Sequence, residues 1–109
     1  MEIFSLIKTV GRNMEPDIEL RLSAQRALWG KITLGLRAVS VEIADQTIRW
    51  RCIFESEIIK EKYWEELSCA ASEVVADFSN VSIDEEYVVI PNPLEMEHLK
   101  WLVFLRYGN

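Results

Sequence analysis

The sequence has few of the side chains that most often hold metals or carry catalysis. Its 109 residues include one histidine, His98, and two cysteines, Cys52 and Cys69. A single imidazole excludes sites built from several histidines, and any Ser–His or Cys–His pair would depend on this one ring. The cysteines have neither metal-ligand spacing nor a CxxC pair, so reduced thiols are expected rather than a disulfide. We therefore expect no metal, no cofactor and no enzymatic activity.

The chain also lacks a long hydrophobic run. Its longest apolar clusters, such as residues 88–90 and 102–105, are far shorter than the roughly 18 to 20 residues needed to cross a bilayer. The first residues, MEIFSLIKTVGRNMEPD, have no basic segment, long apolar centre or small-residue cleavage site of a secretory signal. These absences predict a cytoplasmic protein with no membrane contact.

Basic residues are outnumbered by acidic ones. Twelve Lys and Arg against 18 Asp and Glu give a formal net charge of −6 at pH 7. Because nucleic-acid binding depends on neutralising phosphates with Lys and Arg, we expect no nucleic-acid partner. An acidic surface either keeps the protein soluble or attracts a basic partner, and composition alone does not decide between these roles.

The length favours one hydrophobic core, so residues 1–109 are predicted to form a single domain. Half of the residues are hydrophobic and 28% are charged, as in ordinary soluble globular proteins. Residues 1–14 have mixed character and could form a short helix or a strand before the break at residues 11–13.

Two segments have helical periodicity. The first, from about 16 to 29, has Pro16 in its first turn and ends at Gly30, where glycine tolerates a left-handed conformation. The second, from about 57 to 78, has apolar residues at three- and four-residue intervals and an acidic opposite face. Gly30 therefore indicates a helix end. A phosphate-binding loop would instead follow a strand and carry Gly-Lys-Ser/Thr.

Four further segments have the pattern of strands. Segments 36–43 and 47–54 flank a turn and predict an antiparallel hairpin. Segments 81–90 and 98–107 are joined through Pro91-Asn92-Pro93 and predict a second pair; apolar residues on both faces of the last strand favour a place inside the sheet. The order α-β-β-α-β-β predicts an α+β two-layer sandwich, a four-stranded antiparallel sheet with two helices on one face.

The sheet face opposite the helices is then predicted to be uncovered. We expect it to carry Arg49, Trp50, Arg51, Trp101 and Tyr107. An uncovered face with aromatic residues is a common place for a partner to dock.

The densest run of carboxylates is Asp84-Glu85-Glu86, in the third predicted strand. Because successive strand residues point to opposite faces, Asp84 and Glu86 are expected to share one face and Glu85 to lie on the other. Three interpretations are open for this run: a solvated acidic edge, an acidic surface for a basic protein, and a metal site. No glycine-containing loop of the calcium-binding kind surrounds the run, which disfavours the third.

The second predicted helix offers another acidic surface. Glu61 and Glu65 project from its polar face, and Trp64 lies just outside its apolar stripe. Binding hot spots are enriched in tryptophan, so Trp64 is a candidate aromatic anchor, although a core position is an equally good expectation. With the carboxylates at 84–86, these three residues form the predicted partner-binding site.

Three stretches of the chain resemble those of a known class of proteins. They are RALWGKITLGLRAVSV, SEVVADF and HLKWLVFLRYG, within roughly residues 21–107. They are similar to stretches of small bacterial immunity proteins, the partners of polymorphic or contact-dependent growth-inhibition toxins. The resemblance implies a non-enzymatic inhibitor that binds the toxin domain delivered into a neighbouring cell and blocks its active site or its access to substrate.

The leading hypothesis is therefore a cytoplasmic immunity protein, monomeric or homodimeric, that binds a cognate protein toxin. The resemblance implies that this toxin is often a nuclease with a basic groove, which an acidic inhibitor would match. Two alternatives stay open. One is a small enzyme or ligand-binding domain with a pocket between sheet and helices, using Cys52, His98 or Arg49. The other is a self-associating structural domain that pairs two copies through the uncovered sheet face.

Overall fold

The computed structural model describes residues 15–106. Its elements are α1 (Pro16–Leu28), β1 (Leu36–Ala44), β2 (Thr47–Phe54), α2 (Glu57–Ala76), β3 (Ser82–Val89) and β4 (Trp101–Leu105). The predicted order α-β-β-α-β-β is confirmed, whereas the expectations for residues 1–14 and Tyr107 lie outside the described residues. Neither helix in this range is long and apolar enough to span a bilayer.

Helix α1 begins and ends where the sequence predicted. Pro16 and the acidic Asp17 and Glu19 occupy its first turn, which suits both the missing proline N–H and the positive end of the helix dipole. Just beyond Leu28, Gly30 has a φ of +82°, the left-handed conformation that glycine adopts without steric penalty. Gly30 thus follows a helix rather than opening one.

The four strands form one mixed sheet in the order β3-β2-β1-β4. Strand β1 is antiparallel to both β2 and β4, whereas β2 and β3 run parallel. The predicted hairpin of β1 and β2 is confirmed. Its turn residues, Asp45 and Gln46, have φ values of +51° and +63°, as the two-residue turns that match strand twist require.

The prediction of a purely antiparallel sheet is wrong, and so is the second hairpin. Helix α2 spans 20 residues between β2 and β3, so it carries the chain back along the sheet, and Ser82 of β3 pairs with Thr47 at the start of β2. A connection of this kind produces parallel neighbours. Strands β3 and β4 then lie at opposite edges of the sheet. The prediction that the last strand lies inside the sheet is therefore wrong, since β4 is an edge strand.

Both helices pack on one face of the sheet, α1 against β1 and β4, and α2 against β2 and β3. The core lies between the two layers. Trp50 and Phe54 are its largest fully buried side chains. Helix α2 contributes Leu67, Ala70, Ala71 and Val74. Small alanines let the helix approach the sheet closely around these aromatic rings, which gives the dense packing typical of protein interiors.

Residues 90–100, termed the crossover segment, connect β3 to β4 across the other face of the sheet. The Arg37 guanidinium donates to two carbonyls of this segment, and the Leu99 N–H donates to Ser40 Oγ at 2.9 Å. These bonds allow the polar side chains of Arg37 and Ser40 to be buried, because buried polar groups require partners. The crossover segment therefore covers part of the sheet face opposite the helices, which the sequence analysis had predicted to be uncovered.

The residues predicted for that face divide between the two sides of the sheet. Trp50 is fully buried beneath the helices, and Trp101 also faces them, with Arg21 of α1 at 4.5 Å from its ring centroid. Arg49 and Arg51 do lie on the opposite face, and each makes an ion pair there. Burial of the large aromatic rings decides the orientation, since their apolar area stabilises the fold only in the core.

Candidate partner-binding site

One carboxylate joins α2 to β3. Glu85 Oε1 accepts hydrogen bonds from Ser68 Oγ at 2.7 Å and from the Tyr87 hydroxyl at 2.6 Å. Glu85 therefore faces the helices; strand alternation predicted that it lies on the opposite face from Asp84 and Glu86, but not which face that is. Burial and the hydrogen bond to Glu85 raise the pKa of Tyr87 above its ordinary value. The phenol stays protonated at neutral pH and remains a donor to the carboxylate.

Trp64 covers this junction from the helix side. Its ring centroid lies 5.8 Å from that of Tyr87, and the ring planes are tilted by 59°, a favourable geometry for aromatic pairs. Trp64 is nevertheless 37% exposed to solvent. The ring is thus held in place by the strand while one part of it still contacts solvent, which is the arrangement that an aromatic anchor needs.

Glu61 and Glu65 are exposed one turn apart on α2. Across residues 15–106, neither carboxylate takes part in an ion pair. Like charges at this helical spacing repel each other, and no salt bridge offsets that repulsion. The solvent face of α2 therefore keeps its negative charge.

Asp84 and Glu86 point to the opposite face of the sheet. Glu86 pairs with Arg51 at 3.0 Å, while Asp84 lies in register with Arg49 of β2. Arg49 itself pairs with Glu42 at 2.9 Å. Within the described chain Asp84 makes no ion pair, so it adds uncompensated charge on the side of the sheet away from α2.

The six predicted residues therefore surround one edge of the sheet instead of sharing one face. Strand β3 forms that edge, because β2 is its only neighbour in the described sheet. We use the name acidic edge for this set: Glu61, Trp64, Glu65, Asp84, Glu85 and Glu86. It carries negative charge on both sides of an edge strand, with an aromatic pair on one side.

The sequence analysis did not identify two residues of this region. Ser68 and Tyr87 hold Glu85 in place, and Tyr87 also contacts Trp64. The spacing contained a signal for both. Tyr87 is two residues beyond Glu85 and thus on the same strand face, and Ser68 is one helical turn beyond Trp64. The sequence could not show that α2 lies beside β3, which depends on the parallel pairing.

The residues proposed for an enzymatic alternative do not come together. Cys52 is fully buried in the core, where burial raises the pKa of its thiol far above the ordinary value, so a reactive thiolate is disfavoured. Arg49 points to the other face of the sheet and pairs with Glu42. Partial burial and the nearby Arg51 and Arg37 lower the pKa of His98, which keeps its ring neutral at pH 7.

The acidic residues also do not gather as metal ligands. Among residues 15–106 there is no group of three His, Cys, Asp or Glu side chains placed to hold an ion. Alternation along β3 explains this for the 84–86 run, since it sends Glu85 to one face and its two neighbours to the other.

Three large apolar side chains outside the acidic edge are also exposed. Trp29, Leu34 and Ile58 are 85%, 90% and 79% exposed. Trp29 and Gly30 also line a shallow depression beside Val103 and Phe104 of β4. Exposed apolar side chains favour contact with another protein surface when they form one contiguous patch.

The comparison with known protein families gives one result. A family model described as MafI2 immunity protein matches residues 17–108, a range that includes every helix and strand described above except the first residue of α1, and all six residues of the acidic edge. No curated protein matches the chain.

Proposed function

Because the chain belongs to the MafI2 immunity protein family, we propose that it binds and neutralises a cognate toxin domain through the acidic edge. The observation that carries this proposal is the uncompensated charge of Glu61 and Glu65 beside the exposed ring of Trp64, together with that of Asp84 on the other face of the sheet. Negative side chains that no ion pair neutralises create a field that attracts a basic surface. The ring then supplies apolar contact area once the surfaces meet.

Neutralisation by this route needs no reaction on the immunity protein. A toxin whose substrate is a nucleic acid must present Lys and Arg side chains at its substrate groove. The acidic edge competes for those same side chains and excludes the substrate by occupying the groove. The partner is thus a basic protein met in the cytoplasm, and neither a nucleic acid nor a membrane is involved.

The test is a charge reversal at two positions, Glu65→Lys with Asp84→Lys. The partner is the toxin domain of a neighbouring reading frame, provided that this frame encodes a basic toxin-like region, and its association rate is measured by stopped flow over a series of salt concentrations. We expect association roughly tenfold slower at low salt and a weaker dependence on salt, because steering acts on the encounter.

A matched control changes the net charge equally elsewhere. Glu19→Lys with Glu97→Lys reverses two carboxylates that make no ion pair in the described region. The control should associate much faster than the test variant. Equal slowing of both would show that only net charge matters, and an unchanged rate for the test variant would exclude the acidic edge.

Self-association is a second candidate role, and the exposed Trp29, Leu34 and Ile58 favour it. Light scattering at increasing protein concentration separates monomer from dimer, since a dimer doubles the scattering mass. If Trp29 lies in the dimer contact, Trp29→Ala should make the protein monomeric.

A further inference from the structure

The backbone of β3 presents hydrogen-bonding groups at the sheet edge. The N–H groups of Ser82 and Ile90 donate to carbonyls of Gln46 and Phe54, each at 3.0 Å. In a parallel pair, the groups of alternate residues point to the same neighbour. Even-numbered residues of β3 therefore bond to β2, and Ile83, Glu85, Tyr87 and Val89 direct their N–H and C=O groups away from it.

The side chains around this edge select what can pair with it. A strand added beside β3 would place its alternate side chains next to Glu85 on the helix side and next to Asp84 and Glu86 on the other side. Both faces are acidic, so an incoming strand with Lys or Arg on both faces gains favourable cross-strand pairs. A second copy of β3 would instead bring carboxylates against carboxylates, which opposes edge-to-edge pairing.

The opposite edge of the sheet lacks this selectivity. Strand β4 has five residues, WLVFL, with no charged side chain. A basic segment gains no ion pairs there, whereas β3 has eight residues and three consecutive carboxylates. The aromatic pair of Trp64 and Tyr87 adds apolar contact area at the β3 edge alone.

We propose that an extended, basic segment of the toxin pairs with β3 as an added strand, at the edge that β3 forms in the described sheet. This inference rests on the proposed function, because it assumes that the acidic edge contacts the toxin. Main-chain hydrogen bonds to Glu85 and Tyr87 then supply affinity, and the carboxylates on the two faces supply selectivity for basic side chains.

Amide hydrogen exchange of the full chain, measured by NMR with and without the toxin domain from the adjacent reading frame, tests the pairing directly. In the free protein the amides of Glu85 and Tyr87 should exchange quickly, whereas those of Asp84 and Glu86 are protected by β2. Binding should slow exchange at Glu85 and Tyr87 at least tenfold and change Asp84 and Glu86 far less. Unchanged exchange at Glu85 and Tyr87 in the complex would overturn strand addition.

A pair of variants at one position provides a second test. Glu85→Ala and Glu85→Pro both remove the carboxylate, but only proline removes the N–H, and edge strands tolerate proline where that N–H faces outward. We expect Glu85→Pro to bind the toxin domain roughly tenfold more weakly than Glu85→Ala, with melting temperatures that differ by only a few degrees. Equal affinities in two folded variants would contradict the pairing.

These results separate the two proposals. If Glu65→Lys with Asp84→Lys slows association while the amides of β3 are unaffected, the acidic edge binds the toxin without strand addition. If neither responds, both proposals fail. Protection of Glu85 and Tyr87 that rises with protein concentration in the absence of toxin would identify a second copy as the occupant and overturn the inference.

Discussion

At the scale of single residues, Glu55 ties together three parts of the chain. Its carboxylate follows β2 and accepts hydrogen bonds from the guanidinium of Arg106, after β4, and from the N–H of Asn92 in the crossover segment. The bond from Arg106 and the bond from Asn92 lower the pKa of Glu55 below its ordinary range. The ionised form is thus stabilised by folding.

Glu55→Gln is expected to lower the melting temperature by a few degrees at pH 7 and to have little effect in acid. Since the pKa is lower in the folded state, the contribution is present above the ordinary glutamate pKa of about 4.3 and is lost as the pH falls through the folded-state pKa. Thermal unfolding followed by circular dichroism from pH 7 to pH 3 measures it. A difference that stays constant over this range would contradict the expectation.

Glu57→Gln is the control for this measurement. The Glu57 carboxylate lies 3.8 Å from Lys60 and is 64% exposed, so its ion pair is weak and screened by solvent. Its effect on stability at pH 7 should be smaller than that of Glu55→Gln.

Two glycines form a matched pair for a stability measurement. Gly30 and Gly35 have φ values of +82° and +94°, so alanine at either site costs roughly 1–2 kcal/mol of unfolding free energy through backbone strain. A Cβ at Gly35 would lie 2.7 Å from Ile59 Cγ2, whereas nothing lies within 4 Å at Gly30. Urea unfolding should show a larger loss for Gly35→Ala. Equal losses would mean that Ile59 moves aside without cost.

At the scale of elements, α2 is stabilised by its apolar stripe. Leu67 is fully buried, so Leu67→Ala should lower the free energy of unfolding by about 2–5 kcal/mol. Trp29→Ala removes a larger side chain that is 85% exposed and should change that free energy by less than about 1 kcal/mol. Urea unfolding measures the free energy of unfolding of both variants. A larger decrease for Trp29→Ala than for Leu67→Ala would mean that the Trp29 ring is buried in the core.

The elements themselves could be predicted because each depends on local signals. Pro16 and Gly30 marked the ends of α1, and alternation over residues 47–54 matched β2 at both of its ends. The pairing of β3 could not be predicted in the same way. It depends on how far α2 carries the chain, and the short proline-containing stretch after β3 has the composition of a hairpin turn although it begins a crossover.

At the scale of the whole molecule, the candidate site was predicted as a set of residues but not as a shape. The run at 84–86 and the polar face of α2 were visible in the sequence, and alternation gave the opposite orientations of Glu85 and its neighbours. Their common location at a sheet edge follows from the parallel pairing of β2 and β3. Tyr87 and Ser68 could be assigned to the site only once that pairing was known.

The position of β4 determines when the molecule can be completed during synthesis. Of the described strands it is the last along the chain, yet it pairs with β1, whose residue Val41 lies opposite Trp101. Until β4 has been made, the backbone groups of β1 on that flank have no partner among the described strands, and an unpaired edge of this kind favours aggregation. The described sheet therefore cannot be complete until translation has passed Leu105, and a chain truncated before β4 should be less stable than the full chain.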